Sequence, residues 1–190
     1  MTQPNTVFSI DSDGWCEQAR PVPSPHHNLR PVAEDISLLV VHNISLPPGE
    51  FGGPWIDDLF LGRLDPDAHP YFATIHHLKV SAHCLIRRDG ELVQYVPFHL
   101  RAWHAGVSSF AGREGCNDFS IGIELEGTDE VPYTRVQYET LAGLTRALMA
   151  RYPAITQERL TGHCDIAPGR KSDPGSAFDW VRYRLGVNGD

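Results

Sequence analysis

Apolar and polar positions along the chain follow the two-residue period of strands in several segments. Residues 36–41 form a short, mostly apolar run rich in β-branched side chains, which is typical of a buried central strand. Residues 119–126 alternate, with three aliphatic side chains on one face and Gly122, Glu124 and Glu126 on the other. Residues 80–86 and 91–96 flank Asp89-Gly90, a pair that favours a type I′ hairpin turn.

Other segments follow the period of a helix. Thr134 and Gln137 are spaced as a capping box, and an apolar stripe follows at Val136, Leu141, Leu144 and Leu148 before Pro153. We expect shorter helices at 55–61 and 177–185, the latter facing inward through Phe178, Val181 and Leu185, whereas 62–77 reads as irregular. The mixture predicts one α/β (α+β) domain over residues 1–190, with 1–14 as a loosely ordered N-terminal segment.

Composition and charge indicate which partners and which cellular compartment to expect. The 190 residues are 41% hydrophobic and 21% charged, as in an ordinary globular domain, and the net charge of −8 argues against nucleic acid as a partner. No apolar run approaches the roughly 20 residues that cross a bilayer, and residues 1–13 lack the pattern of a secretory signal, so we expect a cytoplasmic protein. The four scattered cysteines are then expected to be free thiols.

Two segments carry candidate metal ligands. His42 ends the most apolar strand, at the sheet edge where open α/β folds place ligands, although a histidine there is more often structural. The Gly/Pro-bounded loop 161–176 adds His163, Asp165 and Asp173, although its aspartates could simply cap turns. Two histidines and one carboxylate leave a coordination position for water, as a catalytic zinc requires, and the same set could bind iron(II) in an oxygenase. The spacing leaves open which aspartate would be the third ligand.

Two further residues fit hydrolysis of an amide. Glu124 would supply a proton shuttle if its strand face lines a cleft, and it would simply point to water otherwise. Lys171, in the same loop as His163, could stabilise a developing oxyanion. The His-His pairs at 26–27 and 76–77 are expected to be surface or packing residues.

At these positions the sequence resembles the zinc-dependent N-acetylmuramoyl-L-alanine amidase family, which includes the peptidoglycan recognition proteins. The resemblance runs from about residue 15 to 180 and is strongest to the cytoplasmic members that act on 1,6-anhydromuramyl peptides. The segments that carry it are LLVVHNISLPPGEF (38–51), VSAHCLI (80–86), RAWHAG (101–106), IGIELEG (121–127) and GHCDIAP (162–168).

The resemblance implies a central mixed β-sheet flanked by helices and a zinc site made of His42, His163 and Asp173. It implies Glu124 as the general acid/base and Lys171 as the group that stabilises the tetrahedral intermediate. The implied substrate is an anhydromuramyl peptide recovered in cell-wall turnover, whose removal also limits β-lactamase induction.

It further implies that Asn43, Trp103 and His104 line the substrate groove. Lys79 and Gly115 stand where some members have arginine. Lysine is a point charge without the bidentate fork of arginine. These two positions therefore put the strength of stem-peptide recognition in question.

Three other functions fit parts of the pattern. A non-catalytic muropeptide-binding module would share the fold without turnover, an iron oxygenase would share the ligands but leave Glu124 and Lys171 unused, and a periplasmic amidase would act on the intact wall. We expect a small-molecule substrate and a monomer.

Overall fold

The computed structural model describes residues 6–189, which fold around one six-stranded mixed sheet. The sheet has the order β1-β5-β4-β9-β3-β10, with β1 at Arg20–Pro21, β3 at Leu38–Ile44, β4 at Cys84–Ile86, β5 at Leu92–Gln94, β9 at Ser120–Glu126 and β10 at Leu160–Gly162. Two small antiparallel ribbons pair β2 (His27–Asn28) with β6 (Arg101–Ala102) and β7 (Ser109–Phe110) with β8 (Arg113–Glu114). The predicted mixed α/β architecture is confirmed.

Five helices complete the described part of the chain. They are α1 (Trp55–Phe60), α2 (Phe72–Ile75), α3 (Arg135–Arg151), α4 (His163–Ile166) and α5 (Trp180–Asn188), and a short 3-10 helix spans Cys116–Asp118. Within residues 6–189, none of these helices is long and apolar enough to cross a bilayer.

Four neighbouring strands run parallel and so end at one edge of the sheet. β9 is parallel to both β4 and β3, and β3 is parallel to β10. The register sets His42 of β3 directly beside Glu124 of β9, and Gly162 beside Val41. The residues after Gly162 therefore leave the sheet at the carboxyl ends of the parallel strands, close to His42 and Glu124.

The first face of the sheet carries the main hydrophobic core. The odd-numbered aliphatic side chains of β9 pack there against α3 and α5, through residues that include Ile121, Ile123, Leu125, Leu141, Leu144, Leu148 and Tyr183. The capping box at Thr134 and Gln137 is present, and α3 ends at Arg151, two residues before Pro153. Val136 is half-buried, and the other three predicted stripe residues are buried.

The second face is covered by α1, α2 and long loops, over a second cluster that includes Leu59, Phe60, Phe72, Leu85 and Tyr95. Glu124 and Glu126 point to this face and are buried, so the alternative in which Glu124 points to water is wrong. The predicted free thiols are present, with Cys16, Cys84 and Cys116 buried and Cys164 half-buried.

The inward face of the last helix differs from the prediction. Helix α5 begins at Trp180 behind the N-cap Asp179, and its buried residues are Tyr183 and Val187. Val181 and Leu185 are 69% and 47% exposed, so the predicted face is wrong for both, although Phe178 is buried. The orientation is fixed by Tyr183, whose hydroxyl pairs with the Thr145 hydroxyl of α3 at 2.8 Å.

Two local predictions also need correction. The hairpin between β4 and β5 is present, but Gly90 alone of its turn residues has positive φ (+89°), so the turn is not type I′. Residues 62–77 are not wholly irregular, because α2 forms one helical turn around the buried Phe72.

The segment predicted to be loose, 1–14, lies partly outside the described residues, which begin at Thr6. In the described part, Phe8 and Ile10 pack against the main core, and Asp11 accepts hydrogen bonds from the backbone of Asp13 and Trp15. These residues therefore contact the rest of the fold, and the loose order of the segment 1–14 stays a prediction.

Candidate metal centre and cleft

Three side chains from separate segments converge at the carboxyl edge of the parallel strands. His42 comes from β3, His163 from the start of α4, and Asp173 from the loop that follows α4. The Nδ1 atoms of the two histidines lie 3.0 Å apart, and each lies 3.0–3.1 Å from Asp173 Oδ2. The predicted ligand set is thus brought together, although it is spread over 131 residues of chain.

This triangle of donor atoms fits a zinc ion. In a tetrahedral site with bonds of about 2.0–2.1 Å, ligand atoms lie roughly 3.3 Å apart, close to the spacing of these three atoms. His163 Nε2 faces the carbonyl oxygen of Ala105 at 3.1 Å, and because a carbonyl only accepts, Nε2 carries the hydrogen. The Nδ1 lone pair of a neutral His163 is therefore free for a metal.

The other histidine is held in the same way. His42 Nε2 lies 2.9 Å from His104 Nδ1, and His104 Nε2 lies 3.1 Å from the hydroxyl of Ser120. We assign the hydrogens as His42 donating to His104 and His104 donating to Ser120, which leaves His42 Nδ1 free. Such outer hydrogen bonds orient the rings of metal-binding histidines in proteins.

Charge in the site favours a cation. Burial lowers the pKa of His42 to about 4, so its ring is neutral near pH 7, as a metal ligand must be. Burial alone would raise the pKa of Asp173, but its close contacts with the two histidine rings outweigh burial and hold that pKa below its ordinary value. A neutral His42 ring beside an ionised Asp173 carboxylate suits a bound cation.

Glu124 is a buried carboxylate whose Oε2 has no hydrogen-bond partner among residues 6–189. Burial first, and then the negative charge of Asp173, raise its pKa well above the ordinary value, while the positive charge of Lys171 acts in the opposite direction. An unpartnered buried carboxyl group with a raised pKa, at the wall of a cleft, has the properties of a general acid/base.

A cleft of about 790 Å³ opens over this centre. Asn43, Trp103, His104 and Lys171 line it, together with the three candidate ligands and Glu124. One wall is apolar and includes Leu46, Leu59, Phe60, Ile75, Leu78 and Val80. Lys79 is exposed and is not among the described residues that line the cleft, although both of its neighbours are.

Trp103 and His104, which line the cleft, are positioned by contacts with neighbouring segments. Trp103 Nε1 donates to Asn28 Oδ1 at 2.8 Å, and the Trp103 ring stacks on His26 with centroids 6.0 Å apart. The ring of His104 packs directly against β9 at Gly122, where a Cβ would come within 2.4 Å of His104 Cγ. The packing of His26 fits its predicted role as a surface or packing residue. Sequence reasoning missed the roles of Asn28, Ser120 and Gly122, since these depend on contacts across the fold.

Asn43 is engaged within the protein. Its side-chain Nδ2 donates to Asp129 Oδ1 at 2.8 Å, and the backbone carbonyl of Asp129 accepts from the Ala177 N–H at 2.8 Å. Asn43 therefore ties β3 to the segment that follows Asp173. The other predicted ligand candidate, Asp165, caps its own helix by accepting from the Gly162 N–H at 2.9 Å.

A family model and curated relatives match most of this chain. A family model described as N-acetylmuramoyl-L-alanine amidase matches residues 32–176. The chain is 71% identical over 172 residues to the 1,6-anhydro-N-acetylmuramyl-L-alanine amidase AmpD of Citrobacter freundii, with 90% of this chain and 91% of that protein covered.

Solved structures of similar proteins also match this chain. A crystal structure of a selenomethionine AmpD derivative superposes with a TM-score of 0.91 at 70% identity, covering 94% of this chain and 98% of that one. The Escherichia coli amidase AmiD, solved with the substrate anhydro-N-acetylmuramic acid-L-Ala-D-γ-Glu-L-Lys, matches with a TM-score of 0.57 at 29% identity and covers 93% of this chain and 65% of that one.

Proposed function

Because the chain belongs to the N-acetylmuramoyl-L-alanine amidase family, we propose that it cleaves the lactyl–L-alanine amide bond of 1,6-anhydromuramyl peptides, with zinc as its metal. The name of the Citrobacter relative supports the anhydromuramyl substrate, and the substrate bound to AmiD supports a small muropeptide as the occupant of the cleft. The reaction would belong to cell-wall recycling in the cytoplasm, and by removing these fragments it would limit β-lactamase induction.

The observation that carries this proposal is the convergence of His42, His163 and Asp173 beside the unpartnered carboxyl group of Glu124. These three residues would hold the zinc ion. When bound, zinc supplies a Lewis acid that polarises the amide carbonyl and makes water nucleophilic near neutral pH.

The residues of the chain then supply proton transfer and charge stabilisation. Glu124 accepts a proton at Oε2 from the attacking water and passes it to the departing nitrogen of L-alanine. The ammonium group of Lys171, at the cleft wall, stabilises the negative charge that develops on the carbonyl oxygen. Trp103 offers an aromatic surface to the substrate, and the apolar wall excludes water from it.

The proposal is tested with the purified chain and anhydromuramyl tripeptide. We expect about one zinc per chain, release of free tripeptide with a new lactyl carboxylate, loss of activity with a chelator and recovery with added zinc. Tight binding of the fragment without turnover would indicate a muropeptide-binding module instead. Recovery with iron(II) but not zinc would favour the oxygenase ligand set, and preference for intact sacculi would favour a wall amidase.

A further inference from the structure

The two candidate histidine ligands are oriented by consecutive residues of one loop. His42 Nε2 contacts the ring of His104, and His163 Nε2 contacts the backbone carbonyl of Ala105. Any shift of residues 104–105 would therefore turn both rings at once. The loop that carries these two residues has little regular structure of its own, so something else must fix it.

One oxygen atom accepts from both backbone N–H groups of that dipeptide, and Arg170 Nη2 donates to the Ala105 carbonyl at 2.6 Å from the other side. Asn117 Oδ1 accepts hydrogen bonds from the backbone N–H of both His104, at 3.1 Å, and Ala105, at 2.8 Å. Asn117 is 9% exposed and lies in the 3-10 helix Cys116–Asp118, directly before β9. The guanidinium of the buried Arg30 donates to the backbone carbonyl of Asn117 at 3.2 Å and so anchors this helix from below.

We propose that Asn117 is a positioning residue for the metal centre. Its single acceptor atom holds both backbone N–H groups of residues 104–105, while Arg170 holds the Ala105 carbonyl, and these two residues set the directions in which His42 and His163 present Nδ1. The inference rests on the proposed function, because ring direction matters here through the zinc ion that both rings would bind. Loss of an outer hydrogen bond to a ligating histidine typically weakens metal affinity about 10–100-fold.

The chemistry of the side chain makes the proposal testable by a conservative exchange. Asn117→Asp keeps an acceptor oxygen in place, whereas Asn117→Leu keeps a similar size and removes the acceptor. Ser108→Ala is the matched control, because the Ser108 hydroxyl accepts from the Cys116 N–H at 3.2 Å in the same loop without reaching residues 104–105.

The experiment measures zinc affinity of the full chain by competition with a chromogenic chelator, and it follows the Nε2–H signals of histidine in the zinc-loaded protein by ¹H–¹⁵N NMR. We expect Asn117→Leu to bind zinc about 10-fold more weakly and to broaden or lose the Nε2–H signals of His42 and His163. Asn117→Asp and Ser108→Ala should stay within about threefold of the wild type. If Asn117→Leu does not fold, Asn117→Ala is measured in its place.

Wild-type zinc affinity and unchanged signals in the Leu or Ala variant would overturn the positioning role. It would equally be overturned if Ser108→Ala weakened zinc binding as much, or if Asn117→Asp failed to restore it, because the effect would then be one of general loop packing. Failure of the wild-type chain to bind zinc at all would instead refute the proposed function, and with it the premise of this inference.

Discussion

At the scale of single residues, the proposed chemistry depends on the carboxyl group of Glu124. Its Oε2 is buried, unpartnered within the described chain and beside the candidate metal ligands. Glu124→Gln keeps the size of the side chain but cannot take up a proton. We expect turnover of anhydromuramyl tripeptide to fall about a thousandfold, within the range for loss of a general acid/base, while zinc content stays at the wild-type level.

Single-turnover assays and metal analysis on the same preparation check this prediction. Glu139→Gln is a suitable control, because Glu139 is half-exposed on α3 and is not among the described residues that line the cleft. A variant at Glu124 with near-normal turnover would remove the residue from the mechanism, and loss of zinc would make it part of the metal site.

The same carboxyl group should destabilise the metal-free protein. The pKa of Glu124 in the folded protein is raised well above its ordinary value of 4.5. The stability that this group contributes is therefore fully present below its pKa in the unfolded chain, and it is lost as pH rises through its pKa in the folded protein. Glutamine does not titrate, so Glu124→Gln should raise the melting temperature of chelator-treated protein at pH 7.5. Each kcal/mol recovered corresponds to about 2–4 °C for a chain of this size.

Calorimetry across pH 4 to 8 provides the check. The difference in melting temperature between the wild type and Glu124→Gln should disappear as pH falls towards 4. At pH 7.5 the same difference should shrink when zinc is added, since the cation offsets the buried negative charge. A gap that stayed constant with pH would mean that packing, and not ionisation, separates the two proteins.

The residue scale is also where sequence reasoning reaches its limit. The candidate donors His42, His163 and Asp173 could be proposed from residue type and from the resemblance, but the spacing in the chain did not distinguish Asp173 from Asp165. The fold distinguishes them, because Asp165 caps α4 while Asp173 faces both rings. Asn117 was not predicted at all, since its hydrogen bonds span 12 and 13 residues of chain, across the β7–β8 ribbon.

At the scale of elements, the first turn of α3 joins the two halves of the sheet. The hydroxyl of Thr134 accepts from the Gln137 N–H at 3.2 Å and donates to the carbonyl of Arg88 in the hairpin turn at 2.8 Å. Gln137 Nε2 in turn donates to the carbonyls of Ile86 and Glu126. The cap thus holds β4, β9 and the helix together.

Loss of this cap has a predictable cost. We expect Thr134→Ala to lower the free energy of unfolding by about 1–2 kcal/mol, because both the N-cap acceptor and the bond to the hairpin are removed. Thr134→Ser keeps the hydroxyl and should recover most of the loss. Urea unfolding followed by circular dichroism measures both variants, and equal losses in the two would show that the methyl group, and not the hydroxyl, is what matters.

Elements with strong local signals were predictable, and those set by tertiary contacts were not. The strand at 119–126 and the capping box of α3 follow from alternation and spacing of a few residues. The inward face of α5 does not, because Tyr183 is drawn in by its hydrogen bond to Thr145 on another helix. For the same reason the burial of Glu126 could not be predicted: it accepts from the Gly52 N–H in the loop over the second face.

At the scale of the whole molecule, a zinc ion would add a link between β3 and the segment after β10, which the sheet and the Asn43–Asp129 contact already connect. His42 belongs to an interior strand, whereas His163 and Asp173 belong to a segment that follows the last strand of the sheet. A metal that binds only the folded state stabilises it by about 4 kcal/mol when its free concentration is a thousand times its dissociation constant. Removing it should lower the melting temperature of the whole domain.

We therefore expect a chelator to lower the melting temperature of the zinc-loaded chain by roughly 10 °C, at about 2–4 °C per kcal/mol. Asp165→Asn should respond like the wild type, because an amide oxygen can still cap α4. Asp173→Asn should respond little, since the ligand carboxylate is lost. Differential scanning fluorimetry with and without chelator measures these shifts, each variant against itself. A full shift in Asp173→Asn, or its absence in Asp165→Asn, would assign the third ligand to the other aspartate.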